Sequence, residues 1–388
     1  MSAIQKKMVV VSRTFPPQVA GSSVLLSNML NDYTGSFEAI TGYYAGLNSD
    51  KSFIAPCNTK QFYFKNKLFN LIFEEYIHYF RFLIKYFIKK NLRKQKPDVV
   101  FNVFPDAVWF VATYEACSEL GIPYFIHMHD LWEENFPNTN DPIGKLGRKF
   151  EPLIFKHARK VFCMTDMQQE HYEEKYNIKT ELLLHTVPHH LLQEQPKPFK
   201  ESQSTEKIIL YSGNISDAMN LDAIRTFIDC IQYLPFEYKI VFLTSPDTER
   251  LKAKNIYHER IEYKWVSKSE AALLQQKADV LFLPLSFKNG ALEEVKTVYA
   301  TKTLDYLLAG KPILVFSPPF SYHSISAKKT GWGYVVEEDN ALLLANSIIS
   351  LVNQTELVSS ITGNAYNEAL RRDSLKQAGI LHDAVNSI

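Results

Sequence analysis

The residues of this 388-residue chain that could do chemistry follow short apolar runs. After the run Met8–Val11, the residues Gly21, Ser22 and Ser23 begin a stretch with helical spacing. Free backbone N–H groups at a helix start bind anions, so Gly21 and Ser22 are candidates for contact with a phosphate. Simple capping of the helix by Ser22 or Ser23 is the alternative. The turn lacks a GxGxxG pattern, so a standard dinucleotide site is not expected.

A histidine and an acid follow a second apolar run. His129 and Asp130 come directly after a strand predicted over 124–128. An imidazole and a carboxylate at the carboxyl end of a strand suit proton transfer or the binding of a polar ligand. A capped strand end with satisfied side chains is the alternative. His127 and His129 share one strand face, but no second cluster supplies further ligands, so a metal site is not expected.

Two segments of the second half have a similar arrangement. Gly213 and Asn214 follow a strand predicted over 207–212, and Gly213 permits close approach of the backbone to a ligand. A helix predicted to begin near Thr301 offers N–H groups and the charge of Lys302 to a phosphate. Asp305, one turn later, could accept hydrogen bonds from ribose hydroxyls. An ordinary amphipathic helix with a threonine and an acid in its first turn is the alternative.

Parallel sheets are the elements that would position these residues. Short apolar runs alternate with longer stretches of helical period throughout the chain, which indicates βαβ units. Continuous apolar strands with helical crossovers imply sheets that are covered on both faces. Ligands of such sheets bind beyond the carboxyl ends of the strands. We therefore predict an α/β protein with two Rossmann-like, doubly wound domains that face a cleft, where the ligands bind.

One polar segment separates the two halves. Residues 193–206 contain two prolines and no apolar period, which predicts a linker. We expect an N-terminal domain over 1–192 and a C-terminal domain over 207–370, with a helix at about 371–388 that could pack back on the first domain. At roughly 150 residues per domain, the length suggests two or three domains.

The overall composition excludes several classes of protein. The chain is 46% hydrophobic and 22% charged, which rules out a disordered chain. Its 43 basic and 42 acidic residues argue against a general nucleic-acid binder. No segment reaches the ~18 apolar residues of a membrane span, and no signal-peptide core is found. The four cysteines lack metal-binding spacing, so we expect reduced thiols in a cytoplasmic protein.

One segment departs from this even charge. Residues Lys60 to Lys96 hold ten basic and two acidic residues, a net charge of +8, against about −7 for the rest. In a helix predicted over 66–94, a cationic stripe lies beside a broad aromatic face. This pattern is typical of membrane-surface binding, to which each basic residue contributes about 1 kcal/mol. A domain helix with solvated charges is the alternative. The residues predicted to face the membrane are Arg81, Lys85, Lys89 and Arg93.

Together, the motifs resemble glycosyltransferase family 4, and the resemblance covers nearly the whole chain. The segment from Thr301 to Pro312 is similar to the family's PxKxxEYxAAGKPV stretch. The tripeptide Asp130-Leu131-Trp132 resembles the subgroup that builds bacterial surface polysaccharides. The other matching segments are Phe15 to Gly21, His129 to Trp132 and Tyr211 to Asn214.

The resemblance implies a GT-B fold and a role for each matched residue. Gly21 and Ser22 would face the donor diphosphate, and His129 would lie beside the transferred sugar, with Asp130 as a second catalytic candidate. Asp305 would take the place of the family's ribose-binding glutamate. Transfer would retain configuration at the anomeric carbon, without a cofactor or an obligatory metal. The further donor-binding residues would be Gly213, Asn214, Tyr299, Thr301 and Lys302.

The sequence departs from the family pattern in three places. The family has an acid pair spaced E-x7-E. Asp305 fits the second place but is one methylene shorter than glutamate, and Thr297 occupies the first. Glu293 and Glu294 lie nearby, out of register. The loop from Asn214 to Asn220 has no Arg or Lys, so neutralisation of a diphosphate would depend more heavily on Lys302.

These features predict a retaining glycosyltransferase in surface glycan biosynthesis. Its expected partners are a nucleotide sugar, a lipid-linked or polysaccharide acceptor and an anionic membrane surface, with no nucleic acid. We expect a cytoplasmic protein, peripheral on the inner face of the membrane. One alternative is a nucleotide-sugar epimerase of the same fold. Another is a non-catalytic, nucleotide-binding membrane module, which the missing acid at Thr297 motivates.

Overall fold

The computed structural model describes residues 6–42, 57–63, 67–193, 206–288 and 292–388. The chain divides into two compact units. The first comprises Met1–His189 with Asp373–Ile388, and the second comprises His190–Arg372. The linker predicted over 193–206 lies outside the described residues except for its two ends.

The described part of the first unit forms a sheet of seven parallel strands. In chain order they are β1 Lys7–Ser12, β2 Ser36–Thr41, β3 Thr59–Gln61, β4 Val99–Val103, β5 Tyr124–Met128, β6 Lys160–Cys163 and β7 Glu181–Leu182. Their spatial order is β3-β2-β1-β4-β5-β6-β7. All residues of β4 and β5 are buried, since helices cover both faces of the sheet.

Nine helices are described in the first unit or at its edge. A 3-10 turn, Ile77–Phe80, separates α2 from α3, so the helix predicted over 66–94 is not continuous. The helices are α1 Gly21–Asn31, α2 Lys67–Glu75, α3 Arg81–Gln95, α4 Ala107–Leu120, α5 Pro142–His157, α6 Asp166–Tyr176, α7 His189–Gln193, and, from the C-terminus, α16 Ser374–Asn386, together with that 3-10 turn.

The two faces of this sheet have separate cores. On one face, Ile84 and Ile88 of α3 pack in a cluster with Trp109 and Phe110 of α4. On the other face, the C-terminal helix α16 contributes Ala378, Leu381, Ala384 and Val385 to a cluster that contains Met8 and Leu26. The last helix therefore completes the hydrophobic core of the first unit.

The described part of the second unit forms a sheet of six parallel strands. They are β8 Ile208–Ser212, β9 Lys239–Leu243, β10 Ile261–Lys264, β11 Val280–Pro284, β12 Ile313–Phe316 and β13 Tyr334–Val336, in the spatial order β10-β9-β8-β11-β12-β13. Leu243 of β9 pairs with Ser212 of β8 on one side and with Lys264 of β10 on the other, so these three residues lie in one row across the sheet. The carboxyl ends of β8, β9 and β10 are thus level.

Eight α-helices accompany this sheet within the described residues. They are α8 Leu221–Cys230, α9 Thr248–Ala253, α10 Lys268–Gln275, α11 Leu292–Thr297, α12 Lys302–Leu308, α13 Tyr322–Thr330, α14 Ala341–Asn353 and α15 Thr355–Arg371. Among the helices described in either unit, none is by itself long and apolar enough to cross a bilayer. Only α14 and α15 taken together reach that length and hydropathy, across a bend of 92°. The prediction of two parallel-sheet α/β domains is confirmed.

The packing of α16 makes a testable prediction. Leu381 is fully buried, so Leu381→Ala should lower the free energy of unfolding by about 2–5 kcal/mol. Its neighbour Ile380 is 36% exposed, and Ile380→Ala should cost less than about 1 kcal/mol. Urea unfolding of the two variants measures both values. Equal losses would show that α16 does not contribute Leu381 to the core.

Candidate functional site

In the first unit, the start of α1 leaves backbone N–H groups without a side-chain cap. The capping residue is Ala20, which has no side-chain oxygen. The buried Ser23 hydroxyl instead accepts from the Ala20 N–H (2.9 Å) and donates to the Gln18 carbonyl (2.6 Å). Ser23 therefore has a structural role at the helix start, which the alternative interpretation gave to Ser22 or Ser23. Ser22 does not share it.

A pocket of about 390 Å³ opens beside this helix start. Gly21 and Ser22 form one wall, and Arg13 with Asp106 forms another. The Arg13 Nη1 and Asp106 Oδ2 atoms are 2.5 Å apart, while Asp106 Oδ1 accepts from the Trp109 N–H and so caps α4. The pocket thus combines helix N–H donors with a fixed ion pair, which suits a polar or anionic group.

His129 is buried in a chain of hydrogen bonds that begins at Ser22. The Ser22 Oγ lies 3.0 Å from His129 Nδ1, and His129 Nε2 lies 3.2 Å from His127 Nδ1. His127 Nε2 lies 3.1 Å from the carbonyl oxygen of Leu183. Both ring nitrogens of His129 therefore have partners within the first unit.

The direction of each bond in this chain follows from its last member. A carbonyl oxygen only accepts, so His127 Nε2 carries the hydrogen and its Nδ1 accepts from His129 Nε2. His129 Nδ1 must then accept the Ser22 hydroxyl hydrogen. Burial lowers the pKa of His127 to about 4 and lowers the pKa of His129 well below its usual value, which keeps both rings neutral. Ser22 consequently presents its oxygen lone pairs to the pocket.

This arrangement changes the role predicted for His129. A neutral ring with both nitrogens engaged is poorly suited to proton transfer, so the structure favours a positioning role in which His129 orients Ser22. Asp130, the next residue, is partly exposed at the end of β5. The following Leu131 and Trp132 are buried, and the Trp132 indole N–H donates to the Ile143 carbonyl.

Three carboxylates fix the segment that follows Trp132. Glu133, Glu134 and Glu151 lie close enough together to hold a cation. The Lys175 Nζ atom lies among them, 3.0, 2.6 and 3.0 Å from their oxygens. Glu151 also accepts from the Glu133 backbone N–H at 3.0 Å. Lys175 thus serves as the cation of this cluster, which holds the loop after His129 in place.

In the second unit, Gly213 and Lys302 are in close contact. Gly213 has a φ of +132°, and a Cβ atom there would lie 3.1 Å from both Cε and Nζ of Lys302. Lys302 Nζ donates to the Tyr211 hydroxyl at 2.9 Å and lies 4.3 Å from the centre of that ring. The Tyr211 hydroxyl in turn donates to the Asn214 carbonyl at 2.7 Å. The absent side chain at Gly213 leaves room for the lysine.

Lys302 has no carboxylate within ion-pair distance among the residues that the structure describes. Burial lowers the pKa of its ammonium to about 7. The charged form of a lysine is stabilised by water or by a neighbouring acid, and Lys302 has little of either. An incoming anion would therefore stabilise its charged form. The geometry therefore favours an anion at Lys302.

Asp305 lies on the same helix, one turn after Lys302. Its carboxylate makes no hydrogen bond to any residue in the described ranges. Burial raises its pKa, an effect that the charge of Lys268 partly offsets. Its oxygens are therefore free to accept hydrogen bonds from ligand hydroxyls. Thr301, at the start of the helix, is partly exposed and makes no side-chain cap.

Tyr299 lies beneath this site rather than in it. Its side chain is 2% exposed, with the Arg372 guanidinium 3.6 Å above its ring centre and the His323 ring stacked at 5.2 Å. This placement corrects the prediction that the Tyr299 side chain binds the donor. His323 Nε2 accepts from the Ala300 N–H and from the Thr303 hydroxyl. Tyr299, His323 and Arg372 therefore hold the start of α12.

Thr297 occupies the position at which the family has its first acid, and this position is buried. Thr297 is 8% exposed, and its hydroxyl points back along α11 to the Glu293 carbonyl. Glu294 precedes Thr297 by three residues on the same helix, and burial raises the pKa of its carboxyl. Thr297 therefore offers no exposed acid or hydroxyl to a ligand.

Trp265 is a candidate site residue that reasoning from the sequence missed. It follows Lys264 of β10, just as Gly213 follows Ser212 of β8. Lys264 and Ser212 both pair with Leu243 and so lie in one row across the sheet. Two strand spacings separate the two positions, roughly 10 Å. The Trp265 side chain is 76% exposed, which is unusual for tryptophan. The available signal was a tryptophan two residues after a strand predicted over 260–263.

The basic residues predicted to face a membrane are mostly paired with α4. Arg81 forms an ion pair with Glu115, and both Lys85 and Lys89 pair with Glu119, the former at 2.9 Å. The hydrogen bonds from Lys89 and Lys85 lower the pKa of Glu119 to about 2. The prediction of an open cationic stripe is therefore wrong for these three residues. Of the four, Arg93 alone is exposed, whereas the other three are half-buried.

Comparison with known proteins connects these features to a family. Residues 54–187, most of the first unit, match the model for Glycosyltransferase Family 4. This match covers 134 of the 388 residues and makes this region similar to glycosyltransferase family 4. No curated protein matches the chain significantly.

Solved structures extend the similarity of this glycosyltransferase to both units. Sucrose-phosphate synthase of Thermosynechococcus elongatus has a TM-score of 0.75 at 13% identity, over 99% of each chain. HepE of Anabaena, in complex with UDP and glucose, has a TM-score of 0.68 at 13% identity, over 99% and 100%. A putative UDP-N-acetylglucosamine 2-epimerase of Listeria monocytogenes reaches 0.60 at 12%, over 99% and 96%. The predicted GT-B fold is confirmed, as is the prediction of a glycosyltransferase.

The depressed pKa of Lys302 makes stability depend on pH. Its folded-state pKa of about 7 lies below its unfolded value near 10.5, so below pH 7 the folded state must hold a buried charge. Lys302→Met should therefore be more stable than the wild type at pH 6, and this advantage should shrink as the pH rises from 7 to 10.

Urea unfolding across this pH range measures the difference. The exposed Lys277 provides a control, because Lys277→Met should differ from the wild type by a constant amount. An advantage of Lys302→Met that does not change with pH would contradict the assignment.

Proposed function

We propose that this chain is a retaining glycosyltransferase that moves a sugar from a nucleotide-diphosphate donor to a lipid-linked or polysaccharide acceptor in surface glycan biosynthesis. One observation carries the proposal. Lys302, a cation without an acid partner among the described residues, lies against Gly213 and one turn from the open carboxylate of Asp305. A diphosphate and a ribose are the groups that such a pair would bind.

The donor is proposed to bind along the carboxyl ends of β8, β9 and β10. Lys302 would contact the diphosphate, to which Gly213 permits a close approach, and the Asn214 backbone would line the same loop. Asp305 would accept hydrogen bonds from the ribose. Trp265 would stack on the nucleobase at the end of β10. HepE of Anabaena was solved with UDP and glucose, so UDP is the first nucleotide to test.

The first unit is proposed to contribute its Gly21 pocket. The N–H groups of Gly21 and Ser22 suit an anionic oxygen, and the Ser22 lone pairs suit a sugar hydroxyl, whose direction the His129 chain fixes. Asp130, partly exposed at the end of β5, is the remaining candidate for direct action on a substrate. His129 would act through Ser22 rather than on the sugar itself.

Catalysis would consist mainly of stabilising the leaving group. When the anomeric carbon separates from the nucleotide diphosphate, negative charge develops on the diphosphate oxygens. A lysine that is already positioned and poorly solvated stabilises that charge strongly. Lys302 would provide this stabilisation without an obligatory metal. The acceptor hydroxyl would attack the same face of the sugar and give its proton to an oxygen of the departing diphosphate, with retention of configuration.

The lipid-linked acceptor implies a location. A sugar chain carried on a lipid is accessible at the membrane surface, so we propose that the protein is cytoplasmic and peripheral on the inner face of the membrane. The acceptor would be recognised there while the nucleotide sugar arrives from solution.

Epimerase activity is the second candidate. It is favoured by the similarity in fold to the putative 2-epimerase of Listeria monocytogenes. An epimerase would convert the sugar of the donor without any acceptor, whereas a transferase releases a nucleotide diphosphate and extends the acceptor.

Transfer assays with a panel of nucleotide sugars and lipid-diphosphate acceptors test the proposal. Lys302→Met should lower kcat/KM by roughly 10²-fold or more, since it removes the cation at the leaving group. Asp305→Asn keeps the shape and should mainly raise KM. Activity should persist with a chelator. No donor binding, hydrolysis or transfer with any nucleotide sugar would refute the proposal, and conversion of donor without acceptor would favour the epimerase.

Nucleotide binding should be visible in tryptophan fluorescence. The chain has four tryptophans, and Trp109, Trp132 and Trp332 are at most 1% exposed, so a ligand that stacks on Trp265 should quench the solvent-exposed emission. Trp265→Phe should abolish most of the quenching, and Trp265→Ala should weaken UDP binding about tenfold.

The matched control for this prediction is Phe236→Ala. Phe236 is 87% exposed and lies three residues before β9, at the amino ends of the strands, whereas Trp265 lies at their carboxyl ends. Its removal should leave UDP binding unchanged. If calorimetry shows that Trp265→Ala binds UDP as tightly as the wild type, the proposed stacking on Trp265 is wrong. The other parts of the proposed function do not depend on that result.

A further inference from the structure

The helices α2 and α3, with the 3-10 turn between them, expose an unusual set of apolar side chains. Each of six aromatic or aliphatic residues is more than two-fifths exposed, and four of them carry large rings at 60% exposure or more. Isolated exposed apolar residues are common, but six of them over three consecutive helical segments are not. The residues are Phe69, Ile72, Tyr76, Tyr79, Phe82 and Tyr86.

Cations continue this row along α3. Phe82, Tyr86, Lys90 and Arg93 are spaced by four, four and three residues, so they lie on one face of the helix. The opposite face carries Ile84, Ile88 and Leu92, which are fully buried. The exposed face therefore begins with rings and ends with positive charge.

The other basic residues of α3 do not contribute to this face. Arg81, Lys85 and Lys89 are paired with Glu115 and Glu119 of α4. The two carboxylates offset two of the three positive charges on the side of α3 next to α4. In contrast, Lys90, Arg93 and Lys94 are exposed and have no ion-pair partner within the described ranges. Most of the net charge left on α3 thus lies beside the rings.

We propose that this face, formed by the exposed rings of α2, the 3-10 turn and α3 with Lys90, Arg93 and Lys94, docks on an anionic lipid bilayer. Tyrosine and phenylalanine suit the boundary between headgroups and acyl chains, since their rings are apolar and the tyrosine hydroxyl remains hydrated. The cations beside them would lie at the level of anionic headgroups. At ~100° per residue, this face lies about a quarter turn around α3 from the stripe formed by Arg81, Lys85 and Lys89.

Charge complementarity favours a bilayer over a second copy of the chain. In a symmetric dimer through this face, the same patch would meet itself and bring six unpaired cations together. An anionic surface would instead neutralise them. This inference rests on the proposed function in one respect, because a lipid-linked acceptor would explain why the protein binds a membrane. The exposed rings and the charge that support it are observed on this face alone.

Flotation with vesicles tests the proposal. The wild type should float with vesicles that contain phosphatidylglycerol, less with pure phosphatidylcholine, and progressively less as salt is added. Combined replacement of Tyr79, Phe82 and Tyr86 by serine should weaken binding roughly tenfold or more. Replacement of Lys90, Arg93 and Lys94 by glutamine should do the same for anionic vesicles. Phe236→Ser, an exposed aromatic change in the second unit, should leave flotation unchanged.

Several outcomes would overturn the proposal. Flotation that survives both triple replacements, or that is equal for neutral and anionic vesicles, would exclude this face as the anchor. A wild type that does not float, and that sediments as a dimer which the serine triple converts to a monomer, would assign the face to a second copy. Thermal unfolding checks that each variant is folded.

The same samples separate this proposal from the proposed enzymatic function. UDP binding in solution does not involve the aromatic face. Retained UDP binding with no flotation would therefore remove only the membrane proposal, whereas flotation without binding of any nucleotide would remove only the transferase.

Discussion

The site in the second unit depends on keeping a lysine ammonium poorly solvated and without an acid. Lys302 is retained there by a hydrogen bond to Tyr211, by contact with the face of that ring and by the missing side chain of Gly213. Such a group is unfavourable alone and becomes favourable when an anion arrives. The layer below, formed by Tyr299, His323 and Arg372, fixes the turn that carries Lys302.

In the first unit, the direction of the hydrogen bonds prepares the Gly21 pocket for a ligand. The Leu183 carbonyl can only accept, and this single constraint sets the hydrogen positions on His127, His129 and Ser22. The two units therefore offer complementary chemistry, with a cation in one and fixed lone pairs and N–H donors in the other. Both sets lie at carboxyl ends of parallel strands, where α/β sheets leave their backbone and loops open to ligands.

The sequence was sufficient for all the described strands except β3, because continuous apolar runs and helical periods are local patterns, whereas the three polar residues of β3 carry no such pattern. It located Gly21, His129, Gly213, Lys302 and Asp305 at strand ends or helix starts for the same reason. It was insufficient where a distant partner decides the outcome. Periodicity placed Arg81, Lys85 and Lys89 on one stripe, but Glu115 and Glu119, which pair with that stripe, lie some thirty residues further along the chain. Tyr299 was misjudged similarly, since its burial depends on Arg372.

The measurement that tests the central claim most directly is an NMR titration of the Lys302 side chain with and without UDP. The account predicts a pKa of about 7 in the free protein, because burial disfavours the charge. With UDP bound, the diphosphate should raise that pKa by at least about one unit. A pKa near 10.5 in the free protein, or a depressed pKa that UDP leaves unchanged while it binds, would contradict the assignment of Lys302 as the diphosphate-binding cation.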